Sequence, residues 1–589
     1  MKILLTNVPW QKEGYYGVRA GSRWPHFEMM PEDTSHCQYM PFPFYLAYAA
    51  AVLKKKGHIV HVIDAIAQQL SEVEFLARVM EIYPDVVVQE VSTPTILIDL
   101  HYAERIKSIC KDAKIVFCGP HYHMQKEGFL EANKIVDFVI YGEYEYILRD
   151  LINELEHEET HLKIVDGLIY RDLGRIIKNQ PAKVIENIDS LPWPARELLP
   201  MEKYVDLVGG LPMPSLQVWA SRGCPFKCNF CLWPQLMYGG RSYRSRNPKD
   251  VAEEIAYCKK KWHFKSYYFD DDTFNIGKER MLELAKAIKK SKIRLPFAVM
   301  ARADTMDEEQ LIALRSAGLY SIKYGVESGS QDLVNNCGKA LDLKKVEEIV
   351  NITKKLQIKV HLTFAFGLSG ETKETIEQTI KFALKLDPDT VQFSIITPFP
   401  GSDYYKELDE KGYIESTKWE DYTGYTKAVI RTDNLSASEL EDALQKAQRT
   451  WRVHIHMRDK EFDSESIKII RPKIEKNRIF ILYSSFKEHL YEIIATLPEN
   501  VYLPEITIVA TKNKESLLES DFSESDKIIV EGDEFDYENL FRALDIHDNH
   551  YFIIPVNNKN GAGYKNIISF FDEVAPEKHL AVTVDGNML

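Results

Sequence analysis

Cysteine is scarce in this chain, with eight residues among 589. A disulfide-stapled secreted scaffold is thereby excluded, and the few thiols point to a reducing compartment, the cytoplasm. Long apolar runs are lacking too. No stretch approaches the ~18 consecutive apolar residues of a membrane-spanning helix. The opening "MKILLTNVPW" has one short apolar run where a secretion signal needs a longer one. Basic charge is not in excess either. With 74 Lys and Arg against 88 Asp and Glu, net −14, bulk electrostatics disfavour nucleic acid or an anionic membrane as partner. The remaining composition, 45% hydrophobic and 28% charged, is that of a globular protein with several cores. At ~100–200 residues per domain the length predicts roughly three or four of them.

The pattern along the chain is α/β. Residues 1–150 alternate strand and helix as a doubly wound, flavodoxin- or Rossmann-like sheet does: "KILLTNV", the helix "PFPFYLAYAAAVLKKKG", "HIVHVIDA", "PDVVVQEV", "KIVFCGP" and "IVDFVIYGE". Residues 151–212 read as a connector with a small β pair and the proline-punctuated "LPWPARELLP". A second alternation fills 213–430, from "SLQVWAS" through "SYYFDDD", "FAVMARA", "SIKYGVE" and "KVHLTFAFG" to "TVQFSIITPFP". About six βα units predict a partial or full (β/α) barrel. A helical linker is expected over 431–476 and a small C-terminal α/β domain of unknown role over 477–589.

Three of the eight cysteines stand together in "SRGCPFKCNFC" as Cys224, Cys228 and Cys231. They follow a predicted strand, so the loop lies at the catalytic end of a β/α barrel. Zinc sites normally pair such a half-site with two further ligands. The next cysteine, Cys258, falls in a predicted helix and brings none. Three thiolates from one loop would instead hold three irons of a 4Fe–4S cubane and leave the fourth iron open to a small molecule.

The CxxxCxxC loop, with Phe230 just before its last cysteine, resembles that of the radical SAM enzymes. The resemblance implies that S-adenosylmethionine (SAM) chelates the open iron and is reductively cleaved to a 5′-deoxyadenosyl radical. It implies also that an external flavodoxin- or ferredoxin-type donor supplies the electron. "FDDDTFNIGKER" resembles the family's acidic segment, in which Asp271 or Asp272 would receive the methionine amino group, although an Asp-Thr helix cap reads the same way. By the same resemblance Arg302 in "MARADT" would pair with the ligand carboxylate. Glu327 and Ser328 in "YGVESGS" would face its ribose and methionine ends. "FGLSGET" and "PFPGS" resemble the late barrel turns, with Ser369 where proline is commoner, and Gly367 and Gly370 also suit ordinary turns.

The front region resembles the cobalamin-binding domain of one large branch of that family, through "PFPFYLAYAAAVLKKKGHIVHVIDA", "FCGPHYHM" and "VDFVIYGEYEYILRDL". Expected corrin-edge contacts are Asp64, Ser92, Thr93, Gly119, Pro120, His121, Gly142 and Glu143, at strand C-termini where an open α/β sheet offers its crevice. No DxHxxG motif supplies a lower cobalt ligand: neither "DLHYAE" nor "DNHYFI" completes it. His121 reads as a loop histidine, and a flavodoxin-like domain without cofactor is the rival reading. Arg19, Arg23 and Trp24 form a loop expected to close over cofactor or substrate, or to be plain surface. Taken together, the resemblances imply a cobalamin-dependent C-methyltransferase acting on a small-molecule or lipid-like substrate. The alternatives are cyclisation, rearrangement or oxidation with the same cofactors, and a non-enzymatic iron–sulfur or cobalamin sensor.

Overall fold

The computed structural model describes residues 1–12, 14–18, 25–29, 39–423 and 427–459, and beyond them the strands 479–483, 506–511, 526–530, 551–555 and 579–582. Arg19, Arg23, Trp24, Cys37 and "NNKNGAGYKN" lie outside the described residues. The chain divides into two units, Met1–Ala447 and Gln448–Leu589.

The first unit opens with a seven-stranded sheet. Its parallel strands are Lys2–Asn7, Ile59–Asp64, Val86–Glu90, Lys114–Cys118 and Phe138–Ile140, in spatial order 2-1-3-4-5. Runs such as "VVVQE" are buried along their whole length, as a sheet covered by helices on both faces requires. Each fully buried Val or Ile there contributes about 1.5–3 kcal/mol. Pro43 precedes the helix Phe44–Lys55, whose first ten residues are all buried. The order reverses between the first and third strands, and the crevice outside their C-terminal ends is the usual ligand position in such sheets. Leu168–Asp172 and Arg175–Lys178 add two antiparallel strands to the same sheet. The expected connector therefore begins as part of the front domain, because an apolar "LIY" strand needs a sheet edge to bury against. The expected plain loop at 17–25 likewise begins within a strand, Tyr15–Val18, which pairs with Gln11–Lys12 and His26–Met29.

The barrel region is an open sheet of six parallel strands: Ser215–Val218, Ser266–Phe269, Phe297–Ala301, Leu319–Glu327, Lys359–Phe366 and Thr390–Ile395. It is a partial barrel. One face, with Ile322, Tyr324, Leu362 and Phe364, is fully buried. The Tyr324 hydroxyl meets Thr353 of the helix Leu343–Lys355 at 3.2 Å, which identifies this as the helix-covered face. The register Lys323↔His361↔Thr390 and Gly325↔Thr363↔Gln392 places polar residues on the other, inner face. Residues 207–211 close one end of that face. Val208 and Leu211 pack on Tyr268 and Ala298, and Ser321 donates to the Val208 carbonyl at 2.6 Å. Gly209, at φ +66°, has room there only because it lacks a Cβ, which would stand 2.5 Å from that of Ser321.

The long helix Ala437–Asp459 follows the barrel. In the second unit five parallel strands stand in the order 526–530, 506–511, 479–483, 551–555, 579–582, a 3-2-1-4-5 arrangement in chain order.

Candidate functional site

The cysteine loop is built from the first barrel strand outward. After Val218 the chain runs through a three-residue strand, Ser221–Gly223, paired antiparallel with Tyr243–Ser245, and then enters Cys224. Two carboxylates at the end of the second barrel strand hold this lead-in. Asp271 is fully buried and accepts from the Ala220 amide at 2.8 Å and from the Ser221 hydroxyl. Burial pushes its carboxyl up to about 6, opposed by Arg280, the Ser221 hydroxyl and the Ala220 amide. Asp272 accepts from the Gly223 amide at 2.9 Å and the Tyr238 hydroxyl at 2.8 Å. Neither carboxylate caps a helix; the next one starts at Lys278 after Gly277. Asp271 differs from the expected ligand contact in having both oxygens bound inside the fold, since the loop's own amide and hydroxyl reach it first.

The loop also leans on the segment after the fourth strand. Asn229 donates its amide to the Cys337 carbonyl at 2.9 Å, and Gln235 donates to the Cys231 carbonyl at 2.8 Å. Cys224 Sγ lies 3.2 Å from Thr273 Oγ1. Burial pushes the Cys228 thiol up while Lys339 opposes the shift. Cys231 is raised well above the ordinary thiol value by burial, then by the charges of Cys228 and Cys224. Phe230 is partly exposed beside it.

Arg302 sits over the Phe226 ring at 3.6 Å, within the loop itself. Its guanidinium is held by Asp304 through bonds of 2.9 and 2.6 Å, and it donates to the Lys339 carbonyl at 3.0 Å. Glu327, in a left-handed conformation at φ +74°, pairs with Lys339 at 2.8 Å. Ser328 departs from expectation: it is fully buried, sharing a hydrogen bond of 3.1 Å with Thr379 of the helix Lys373–Leu386. The left-handed turn at Glu327 sends the two neighbours to different surroundings.

On the front domain the expected residues gather at the strand C-termini, but most are engaged within the fold. Asp64 accepts from the Ala67 amide at 3.2 Å and the Tyr204 hydroxyl at 2.9 Å. Ser92 shares a reciprocal cap with Thr95. Thr93 Oγ1 meets His121 Nδ1 at 3.2 Å. His121 is buried between His123 and Trp419, and burial pushes its imidazole down to about 3, so it is neutral. Gly119, at φ +113°, must be glycine, because a Cβ would stand 2.3 Å from the Val91 carbonyl. Pro120 beside it is buried. Gly142, at φ +87°, ends the fifth strand's turn.

Glu143 differs most from its expected place at a corrin edge. Its carboxylate is buried and accepts from Arg222 Nη1 at 3.2 Å, Arg244 Nη1 at 2.6 Å and the Ile185 amide at 2.9 Å. Glu145 pairs with Arg222 Nη2 at 2.6 Å. Sequence reasoning passed over Arg222, Arg244, Glu145, Lys339 and Gly338. The one visible sign was charge inside otherwise apolar runs, as in "VWASRGC" and "YGEYEYI".

Among the described residues no three His, Cys, Asp or Glu side chains converge as a single metal ion would require. The three cysteines, electrostatic neighbours on one loop, suit a multi-iron cluster, in which each thiolate takes its own iron. Lys339 opposes the burial that raises the Cys228 thiol, and three sulfur donors on one loop are the donor type such a cluster takes. For a corrin the front sheet offers its strand-reversal crevice, with glycine turns after the fourth and fifth strands, at Gly119 and Gly142, further along the same C-terminal edge.

Fold and site together define an α/β protein with a three-cysteine loop on a partial barrel, behind a doubly wound domain. Comparison with known proteins narrows this. Residues 220–383 match the Radical SAM superfamily model and residues 36–152 the B12 binding domain model. An uncharacterised methyltransferase of Pyrococcus horikoshii is 30% identical over 405 residues, 69% of this chain and 86% of that one. The anaerobic magnesium-protoporphyrin IX monomethyl ester cyclase of Rubrivivax gelatinosus is 27% identical over 421 residues, 69% of this chain and 73% of that one. In fold the chain is similar to the cobalamin-dependent radical enzyme OxsB, with a TM-score of 0.59, 16% identity, and coverage of 84% of this chain and 71% of that one. The methyltransferase TsrM of Kitasatospora setae gives 0.54, 17%, 70% and 78%. The chain belongs to the cobalamin-dependent radical SAM enzymes. Its cofactors are a 4Fe–4S cluster, SAM and cobalamin. Among the described residues no helix is long and apolar enough to cross a membrane.

Proposed function

We propose that this enzyme methylates an unactivated carbon of a small-molecule substrate. The observation that carries the reading is the junction of the two cofactor domains: the segment leading into Cys224 is bonded on one side to the barrel and on the other to the front domain. That junction suits chemistry in which a radical centre and a methyl carrier serve one substrate. When bound, the cluster and SAM supply the 5′-deoxyadenosyl radical and cobalamin the methyl group. Cys224, Cys228 and Cys231 would hold the cluster. Asp272, Glu327 and Arg302, with Phe230 beside Cys231, would border SAM. The polar inner row of Lys323, Thr363 and Gln392 would orient substrate and keep it from bulk water. Thr93, Gly119, Pro120, His121 and Gly142 would line the corrin edge. The single electron would come from a flavodoxin- or ferredoxin-type partner in the cytoplasm.

The relationship to the Rubrivivax cyclase favours a second outcome, oxidative ring formation with the same cofactors. One experiment separates these. The protein is purified without oxygen, reconstituted with iron and sulfide, and its absorption recorded with and without hydroxocobalamin. Iron at ~4 per chain, lost in Cys224→Ala, is expected. Corrin bands should survive desalting, and methyl-labelled SAM should label a product. Corrin retention with an unlabelled, cyclised product would favour the second outcome. A cluster without corrin would overturn methyl transfer through cobalamin.

A further inference from the structure

The strand Ser221–Gly223 is shared between two domains. Toward the barrel, Ala220 N and Ser221 Oγ are bound by Asp271, and Gly223 N by Asp272. Toward the front domain, Arg222 reaches Glu143 and Glu145, with side chains 2%, 1% and 0% exposed respectively. Tyr45, Tyr48 and Trp219 present ring faces to the guanidinium at 5.0, 4.9 and 5.0 Å. Both glutamates lie at the N-terminus of the helix Tyr144–Leu155, where the helix dipole favours carboxylates. Arg244, on the strand paired with Ser221–Gly223, grips the same Glu143.

Gly142, at the front domain's ligand edge, is thus linked to Cys224 through Glu143, Arg222 and Gly223. A plain apolar contact would bury this junction with less desolvation, since a buried ion pair is a weak source of stability. What the pair adds is direction: a planar guanidinium hydrogen-bonded to Glu143 and ion-paired with Glu145 accepts few orientations.

We propose that Arg222, held by Glu143 and Glu145, is a positioning residue that sets how the cluster loop stands relative to the cobalamin edge. It acts through the loop and touches no substrate. The proposal rests on the reading of this chain as a two-cofactor enzyme.

The test is paramagnetic. In the holoenzyme, the cob(II)alamin resonance is power-saturated with the cluster oxidised and then reduced. A reduced cluster close to cobalt speeds its relaxation, and the effect falls steeply with distance. Wild type should show the enhancement. Glu145→Gln and Arg222→Lys, with iron and corrin contents unchanged, should lose it or show it spread over several populations. Undiminished, uniform enhancement in both variants would overturn the proposal. Failure of Glu145→Gln to load either cofactor would also overturn it, because the link would then serve folding rather than placement. Absence of enhancement in a fully loaded wild type would do the same. Absence of corrin or iron from wild type would instead sink the two-cofactor reading itself, which the loading assay reports separately.

Discussion

Lys339 donates to Glu327 at 2.8 Å, and its charge opposes the burial that raises the Cys228 thiol. The fourth barrel strand thereby delivers a cation to the cysteine loop through a residue in the left-handed conformation.

Both side chains of that pair are mostly buried, at 9% and 14% exposure. Removing one partner leaves the other charge stranded, so Lys339→Met should destabilise the first unit by about 3–5 kcal/mol. Lys339→Met combined with Glu327→Gln should recover most of the loss. Denaturant unfolding of the two single variants and the double variant, arranged as a thermodynamic cycle, measures this coupling. Additive single losses would show the pair to be incidental.

Gly338 backs the cysteine loop closely. It sits at φ +74°, and a Cβ there would stand 2.2 Å from the Lys227 carbonyl, next to Cys228. Gly412, at φ +66°, has no atom within 4 Å of its virtual Cβ. Gly412→Ala should therefore cost only the left-handed strain, about 1–2 kcal/mol. Gly338→Ala should carry that strain and displace the loop as well, so iron retained after desalting should fall in Gly338→Ala alone. Equal iron content in the two variants would refute the close-approach argument.

Glu371 lies in the turn after the fifth barrel strand, buried, accepting from the Gly367 amide and with Oε1 left without a hydrogen-bond partner. Burial pushes its carboxyl up to about 8, against the Gly367 and Leu368 amides. An unfolded glutamate titrates near about 4.3. With the folded value raised, its contribution to stability is complete below the unfolded value and is lost as pH rises through about 8. Glu371→Gln should therefore raise Tm relative to wild type at pH about 9 and change it little at about 5. A pH-independent difference would place the proton elsewhere.

The cofactor chemistry was legible locally because a cluster loop is a local object. Three thiols within eight positions, after an apolar strand, state their ligand count without help from distant residues. The helices Lys278–Lys290 and Lys373–Leu386 can be read locally for a similar reason, since apolar periodicity reports which face is buried. The small β pair near 168–178 could also be seen, but its membership of the front sheet could not: an apolar strand declares that it needs a neighbour and not which one.

The sequence by itself determined the repeated α/β alternation, the three-cysteine loop and the cofactor family. Those follow from residue spacing and strand–helix alternation, which are properties of short segments. Only the tertiary structure decided what Glu143, Asp271 and Ser328 do. All three stand in ligand-like motifs, yet each is bound by a partner 50 or more positions away: Arg222, Ala220 and Thr379. A buried polar atom takes whichever donor or acceptor the packing brings within reach, and that choice is made when distant segments of the chain pack together.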